Sequence, residues 1–296
     1  MTARAFEVAL DIRAELGESP HWCAESRCLF FVDIKGRALH RFDPETGRHR
    51  ATLLPEEIGC VARAKGGGFV AGLRSGVWRL DGEGRPVERL AANPEDQGTS
   101  RFNDGRVDPA GRFLAGTVDE PKDGGRAHLY RLDRRGLTAL AGGLLTSNGL
   151  AFSPDGRILY HSDTPTFTIW RYVYDAATGE VSDKTLFVRL RPSDADRGRP
   201  DGASVDAEGC YWTALYEGGR VQRYAPDGTL LAEYPVPARC PTMAAFGGPD
   251  LRTLYVTSAR AGRPAEELAA FPHSGSLFAM RVDVPGLPEF QFDATA

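Results

Sequence analysis

The chain has 296 residues, 26% of them charged and 42% hydrophobic, with a formal net charge of −4 and a pI near 5.9. That balance excludes the Lys/Arg excess that neutralising nucleic-acid phosphates requires, and no apolar run approaches the ~18 residues of a membrane span. Five scattered cysteines, Cys23, Cys28, Cys60, Cys210 and Cys240, provide no Cys-x-x-Cys pair for zinc and are expected to be free thiols in a reducing compartment.

In chain order, the first residues lack a basic head followed by an apolar core and a small-residue cleavage site, so a cytoplasmic location is expected. Residues 6–12 alternate apolar and polar like a strand, but no sequence-adjacent strand is available to pair with them. From there one segment is written six times. Aligned on Ser-Asn-Gly-Leu-Ala-Phe-Ser-Pro-Asp-Gly-Arg-Ile-Leu-Tyr, residues 147–160, one slot is held in turn by Glu18, Gly59, Asn103, Asn148, Asp201 and Thr242. The intervals are 41, 44, 45, 53 and 41 residues. A hydrophobic residue follows four positions after the slot (Trp22, Val107, Phe152, Val205, Phe246), and a glycine eight positions after it in four copies (Gly67, Gly111, Gly156, Gly209). Each copy then closes on an apolar-x-Arg-apolar run, at 39–42, 77–80, 129–132, 169–172, 221–224 and 279–282. Those arginines are expected to be solvated outer-strand residues.

A period of 40–50 residues rich in β-branched and aromatic residues is that of propeller blades. The expected fold is all-β: a six-bladed β-propeller forming a single domain over residues 1–296. Residues 6–12 would supply the outer strand of the last blade and close the ring. Because strands alternate direction within a blade, three long irregular segments, 119–127, 189–200 and 259–275, all fall at the slot's end of the channel. Loops lengthened on one face of a rigid scaffold are binding loops.

Nucleophile motifs are absent: there is no Gly-x-Ser-x-Gly, no His-Glu-x-x-His, and the six histidines make no ligand spacing. What remains is the oxygen cluster that the register gathers on the axis, Glu18, Asn103, Asn148 and Asp201. Carboxylates and amide oxygens without Cys or His are hard donors suited to Ca²⁺, Mg²⁺ or Mn²⁺, with Zn²⁺ and Fe²⁺ also open.

Gly17-Glu18-Ser19-Pro20-His21-Trp22, Arg101-Phe102-Asn103-Asp104-Gly105, Val107-Asp108-Pro109-Ala110-Gly111-Arg112, Ser147-Asn148-Gly149-Leu150, Pro200-Asp201-Gly202 and Phe246-Gly247-Gly248-Pro249-Asp250 resemble, in order and across essentially the whole chain, the regucalcin/gluconolactonase family of sugar lactonases. The resemblance implies a six-bladed propeller with one divalent metal on the axis. Glu18, Asn148 and Asp201 match the metal ligands, Arg101 and Asn103 match substrate-binding positions, and Asp201 matches the catalytic base. The third blade departs from the family pattern. The family often carries Met followed by acidic residues after Gly-Thr, whereas this chain reads Gly116-Thr117-Val118-Asp119-Glu120, so Asp119 and Glu120 are both candidates to face the substrate.

The expected activity is therefore metal-dependent hydrolysis of an aldonolactone to the aldonic acid, gluconolactonase- or xylonolactonase-like, a carboxylic ester hydrolysis. Two other readings stand beside it: a non-catalytic Ca²⁺-binding regulatory propeller, and a broader esterase. A pocket edged by Arg101, Asn103, Asp119 or Glu120 suits a polyol better than an aryl group. Arg189, Arg191, Arg197 and Arg199 crowd the segment before Asp201, which leaves a sulfonated or carboxylated sugar lactone open beside a solvated loop. The partner is a small-molecule sugar lactone, with neither nucleic acid nor membrane, and the resemblance points to a monomer or weak homodimer.

Overall fold

In the computed structural model, which describes residues 5–296, strands pair into six four-stranded antiparallel sheets. The first blade runs Gly17–Cys23, Cys28–Asp33, Ala38–Asp43 and Arg48–Leu53. The inner strands of the next five are Ile58–Arg63, Ser100–Val107, Ser147–Phe152, Arg199–Val205 and Pro241–Gly247. Each inner strand touches that of the next blade and the sixth touches the first, so the sheets form a ring, a six-bladed β-propeller. The partnerless N-terminal stretch does what its alternation requires: Glu7–Leu10 pairs antiparallel with Leu277–Arg281 and completes the sixth blade. Closure leaves the ring without an unpaired blade at which another chain could add.

The core lies in slabs between neighbouring blades rather than at one centre. Phe30 and Val32 of the first blade pack against Ile58, Phe69 and Leu73 of the second. Trp212 and Val221 of the fifth meet Phe246, Leu254 and Phe278 of the sixth. Trp22, Leu29 and Phe31 meet Tyr255 and Leu277 where the ring closes. The hydrophobic residue four places after the slot is buried in every copy that has one. The repeat glycine eight places after it turns the chain at φ +103° (Gly67), +94° (Gly111), +69° (Gly156) and +81° (Gly209), a conformation that costs glycine little and other residues more.

Arg41 and Arg281 are exposed as expected, but Arg79, Arg131, Arg223 and Arg281 also hold partners. Arg79 donates to Gly67 O, Arg223 bonds Asp206 and Glu208, and Arg281 bonds Asp250, all in the turn between the first two strands of their own blade. Arg131 reaches Thr178 O and Glu180 of the next blade. They tie down turns that would otherwise splay. All five cysteines are free and buried, and Cys23 lies directly opposite Cys28 across the first hairpin.

The three long segments open at one end of the channel. Two leave from residues paired with inner-strand starts, Asp119 opposite Ser100 and Ser258 opposite Pro241, and the third leads directly into Arg199. The last of them carries a short helix, Ala265–Ala270. The opposite end is crossed by the residues after Arg281. Gly286 bridges Asp206, Phe292 bridges Ala64, and Asp293 N donates to Gly111 O, so this tail spans several blades. Beneath it, Ser19, His21, Val61, Gly105, Arg106 and Glu289 line an axial cavity of about 10 Å³, room for a single water molecule.

Candidate metal and substrate site

All six inner strands break register at the slot. The irregularities fall between Glu18 and His21, Ile58 and Cys60, Phe102 and Gly105, Asn148 and Ala151, Pro200 and Ala203, and Pro241 and Ala244. A bulge re-aims a side chain, and repeating it at one level of the ring directs the slot residues to the axis. Two slots offer neither carboxylate nor amide. A Cβ on Gly59 would sit 2.2 Å from Phe102 O, so only glycine lets the second and third inner strands approach. Thr242 spends its hydroxyl on Gly17 O, tying the sixth blade to the first.

The other four are buried, and two of them, Asn103 and Asn148, are bonded to each other. Asn103 Nδ2 donates to Ser147 O at 3.0 Å and to Asn148 Oδ1 at 2.9 Å. Asn148 Nδ2 donates to Thr164 Oγ1, which donates to Pro200 O beside Asp201. These bonds fix the Asn148 amide with Oδ1 toward Asn103 and leave that oxygen one further lone pair. Glu18 Oε2 accepts the Ser19 amide at 2.9 Å.

Electrostatics single out the two carboxylates. Burial, reinforced by Asp201 and Asp104, pushes Glu18 well above the usual carboxylate range. Burial and Asp104 push Asp201 up likewise, against the pull of Arg199 and Lys122. Asp104, bonded to the Gly105 and Leu150 amides, is itself raised to about 6 by burial, with Arg106 opposing. Among the described residues no ammonium or guanidinium bonds Glu18 or Asp201. Two buried carboxylates with no protein cation bonded to them are held at high cost. Together with the Asn148 amide oxygen they form an all-oxygen donor set that fits a hard divalent cation.

Above this set, Arg101 Nη1 donates to Phe102 O and to Asn103 Oδ1 at 2.7 Å, while its buried Nε has no partner and stands 3.9 Å from Glu57 and 3.8 Å from Glu120. Arg74 bonds both Glu57 and Glu120. Asp119 and Glu120 thus part company. Asp119 turns into its own loop, accepting Gly124 N and Arg126 Nη2, whereas Glu120 faces Arg101. Sequence reasoning missed Asp104, Glu57, Arg74 and Thr164. Asp104 adjoins a slot and could have been found by asking which carboxylates flank the axis; the other three carry no periodic signal.

A cluster elsewhere, Asp206, Glu208 and Cys210, also brings possible ligand atoms within 4.8 Å of one another. Asp206 Oδ2 there is consumed by Trp212 Nε1 and Arg223, and Arg223 also bonds Glu208. It is an ion pair tying a turn.

The sequence profile of the SMP-30/Gluconolactonase/LRE-like region matches residues 16–260. The chain belongs to that family. Within this SMP-30/gluconolactonase-like group, the chain is 50% identical over 275 residues to a 6-deoxy-6-sulfogluconolactonase of Pseudomonas putida, covering 93% of this chain and 94% of that one. It is 39% identical to a pentonolactonase of Haloferax volcanii, over 96% and 97% of the two chains. The crystal structure of a calcium-binding protein, regucalcin, from Agrobacterium tumefaciens superposes with a TM-score of 0.93 at 30% identity, over 98% of each chain.

Proposed function

We propose that the chain hydrolyses a sugar lactone, adding water across the ring ester to give the aldonic acid. The observation that carries this reading is the pairing, at one level of the ring, of two cation-less buried carboxylates with an arginine fork that still has free donors. The relatives named for lactone hydrolysis support it.

On this reading Glu18, Asn148 and Asp201 hold one divalent cation, drawn from Ca²⁺, Mg²⁺, Mn²⁺, Zn²⁺ or Fe²⁺. That cation would supply Lewis-acid stabilisation of charge on the lactone carbonyl oxygen. Asp201 accepts a proton from the attacking water and returns it to the ring oxygen as the ester C–O bond breaks. Arg101, with Nη1 committed, offers Nη2 to a substrate oxygen. Asn103 has spent both N–H groups, so it offers only the remaining lone pair of Oδ1, which accepts from a sugar hydroxyl. Glu120 accepts another, and Asp119 acts at one remove by shaping the loop.

The test is proton release, followed with a pH indicator, on a panel of aldonolactones with metal-stripped protein and with protein re-supplied with each cation. Cation-dependent turnover above spontaneous hydrolysis is expected. Protein that binds metal yet accelerates no lactone would move the reading to a calcium-binding platform or to another ester.

A further inference from the structure

Several cations around the mouth are matched to carboxylates. Arg74 and Arg101 face Glu57 and Glu120. Arg199 and Arg263 face Glu217, and Arg263 also faces Glu267. Lys122 is exposed, and among the described residues its ammonium has neither a hydrogen bond nor an ion pair. It is not a free-swinging surface lysine at its root. Its backbone sits at φ +58°, its N–H donates to Asp119 O at 2.9 Å, and the Asp119 carboxylate clamps the same loop through Gly124 N and Arg126.

The loop leaves the sheet at Asp119, which pairs with Ser100, the neighbour of Arg101, so Lys122 belongs to the same end of the channel as the site. Lost hydration and then Arg199 and Arg101 push its ammonium below the usual lysine range, while Asp201 and Glu120 pull the other way. Arg199 brings a second opening: Nη2 bonds Glu217, the guanidinium lies 5.0 Å from the Tyr216 ring centre, and buried Nε has no partner. An unmatched positive charge and an unused guanidinium edge at the same end of the channel as Arg101, Asn103 and Glu120 are what an oxyanion at the far end of a bound sugar requires.

Resting on the lactonase reading, we infer that Lys122, with the Nε edge of Arg199, determines specificity for lactones whose end remote from the carbonyl carries a sulfonate or a carboxylate. Neither residue touches the reacting atoms; each reads the charged end and so lowers KM for anionic substrates.

The experiment compares metal-loaded wild type, Lys122→Met and Lys122→Arg on three hexonolactones that differ only at C6: hydroxymethyl, sulfonate in place of the hydroxyl, and carboxylate. Wild type is expected to favour an anionic lactone at least ~10-fold in kcat/KM. Lys122→Met should remove most of that preference through KM, change the neutral lactone less than about twofold, and be rescued by Lys122→Arg. Preference for both anions would indicate charge reading, and preference for sulfonate alone would add shape; either supports the inference. Hydrolysis with no charge preference, or an equal loss on all three lactones in Lys122→Met, overturns it and leaves the lactonase reading standing. No hydrolysis of these three or of any member of the aldonolactone panel overturns both.

Discussion

Arg106 and Glu289, 183 residues apart, meet two-to-one at the far end of the channel: Arg106 Nη1 lies 2.7 and 2.9 Å from the two carboxylate oxygens. Arg106 Nη2 is meanwhile spent on Ala203 O, so one guanidinium joins the third blade, the fifth and the C-terminal tail. Burial opposes the charge on Glu289, but the bonded Arg106 guanidinium prevails and holds it below the usual range. Removing one partner strands the other. Glu289→Ala is therefore expected to cost about 3 kcal/mol of stability by denaturant titration and to expose the tail to proteolysis. A variant within about 0.5 kcal/mol of wild type would show that the tail lies passively on the ring.

Asn103 acts mainly on Asn148. Asn103→Ala deletes the donor that holds Asn148 Oδ1 and frees the Arg101 Nη1 that Asn103 engages. Metal affinity, measured by calorimetry, should fall ~10–100-fold, the usual cost of losing a partner that orients a ligand. Unchanged affinity with a raised KM would confine Asn103 to the substrate.

The repeat register, the six blades, the ring closure and the level at which the slot residues gather were legible because each follows from a local pattern that recurs. The silent slots were legible as well, since Gly59 and Thr242 occupy the register without offering a carboxylate or amide. Other features were not. Asp119 and Glu120 are adjacent acids, and only the shape of their loop sends one into it and the other toward Arg101. Arg223 and Arg281 look like solvated strand residues in sequence, yet each finds its carboxylate across a turn. The tail has no repeat to betray it, and its contacts run to blades made far earlier in the chain.

For Asp201, substitution by Asn keeps an oxygen at the axis but removes the proton acceptor. Expected is a ~10²–10⁴-fold fall in kcat, with metal still bound and the unfolding transition retained. Near-wild-type kcat would remove Asp201 as the base.

Metal binding should couple to pH through the same carboxylates. Glu18 and Asp201 are raised in the metal-free protein, so their protonated forms stabilise the fold below the ordinary carboxylate pKa, and that contribution is lost as pH rises through the raised values. A cation needs both ionised and competes with those protons. The rise in Tm on adding metal should thus be larger at pH 8 than at pH 5. An increment independent of pH would mean that these carboxylates are not the ligands.

Three buried histidines set the acid limit. Burial lowers His21 and His40 to about 4 and His161 to about 3. Each is neutral when folded and charges near 6.5 when unfolded, so its contribution is full above that value and lost as pH falls toward 4. Unfolding metal-loaded protein at pH 5 should take up about three protons from this source, with stability falling by up to ~1.4 kcal/mol per proton for each pH unit. Uptake near zero at pH 5 would contradict the burial of all three.

The C-terminal tail, bridged to Asp206 and Ala64 and bonded to Arg106 across the far end, makes the propeller a cup rather than a pipe. Whatever enters between the 119–127 and 189–200 loops leaves by the same doorway, turning back past the residues that admitted it. Traffic is therefore one-lane: a newly made acid occupies the path of the next lactone until it departs, and nothing can be handed through the ring to a partner waiting on the other side.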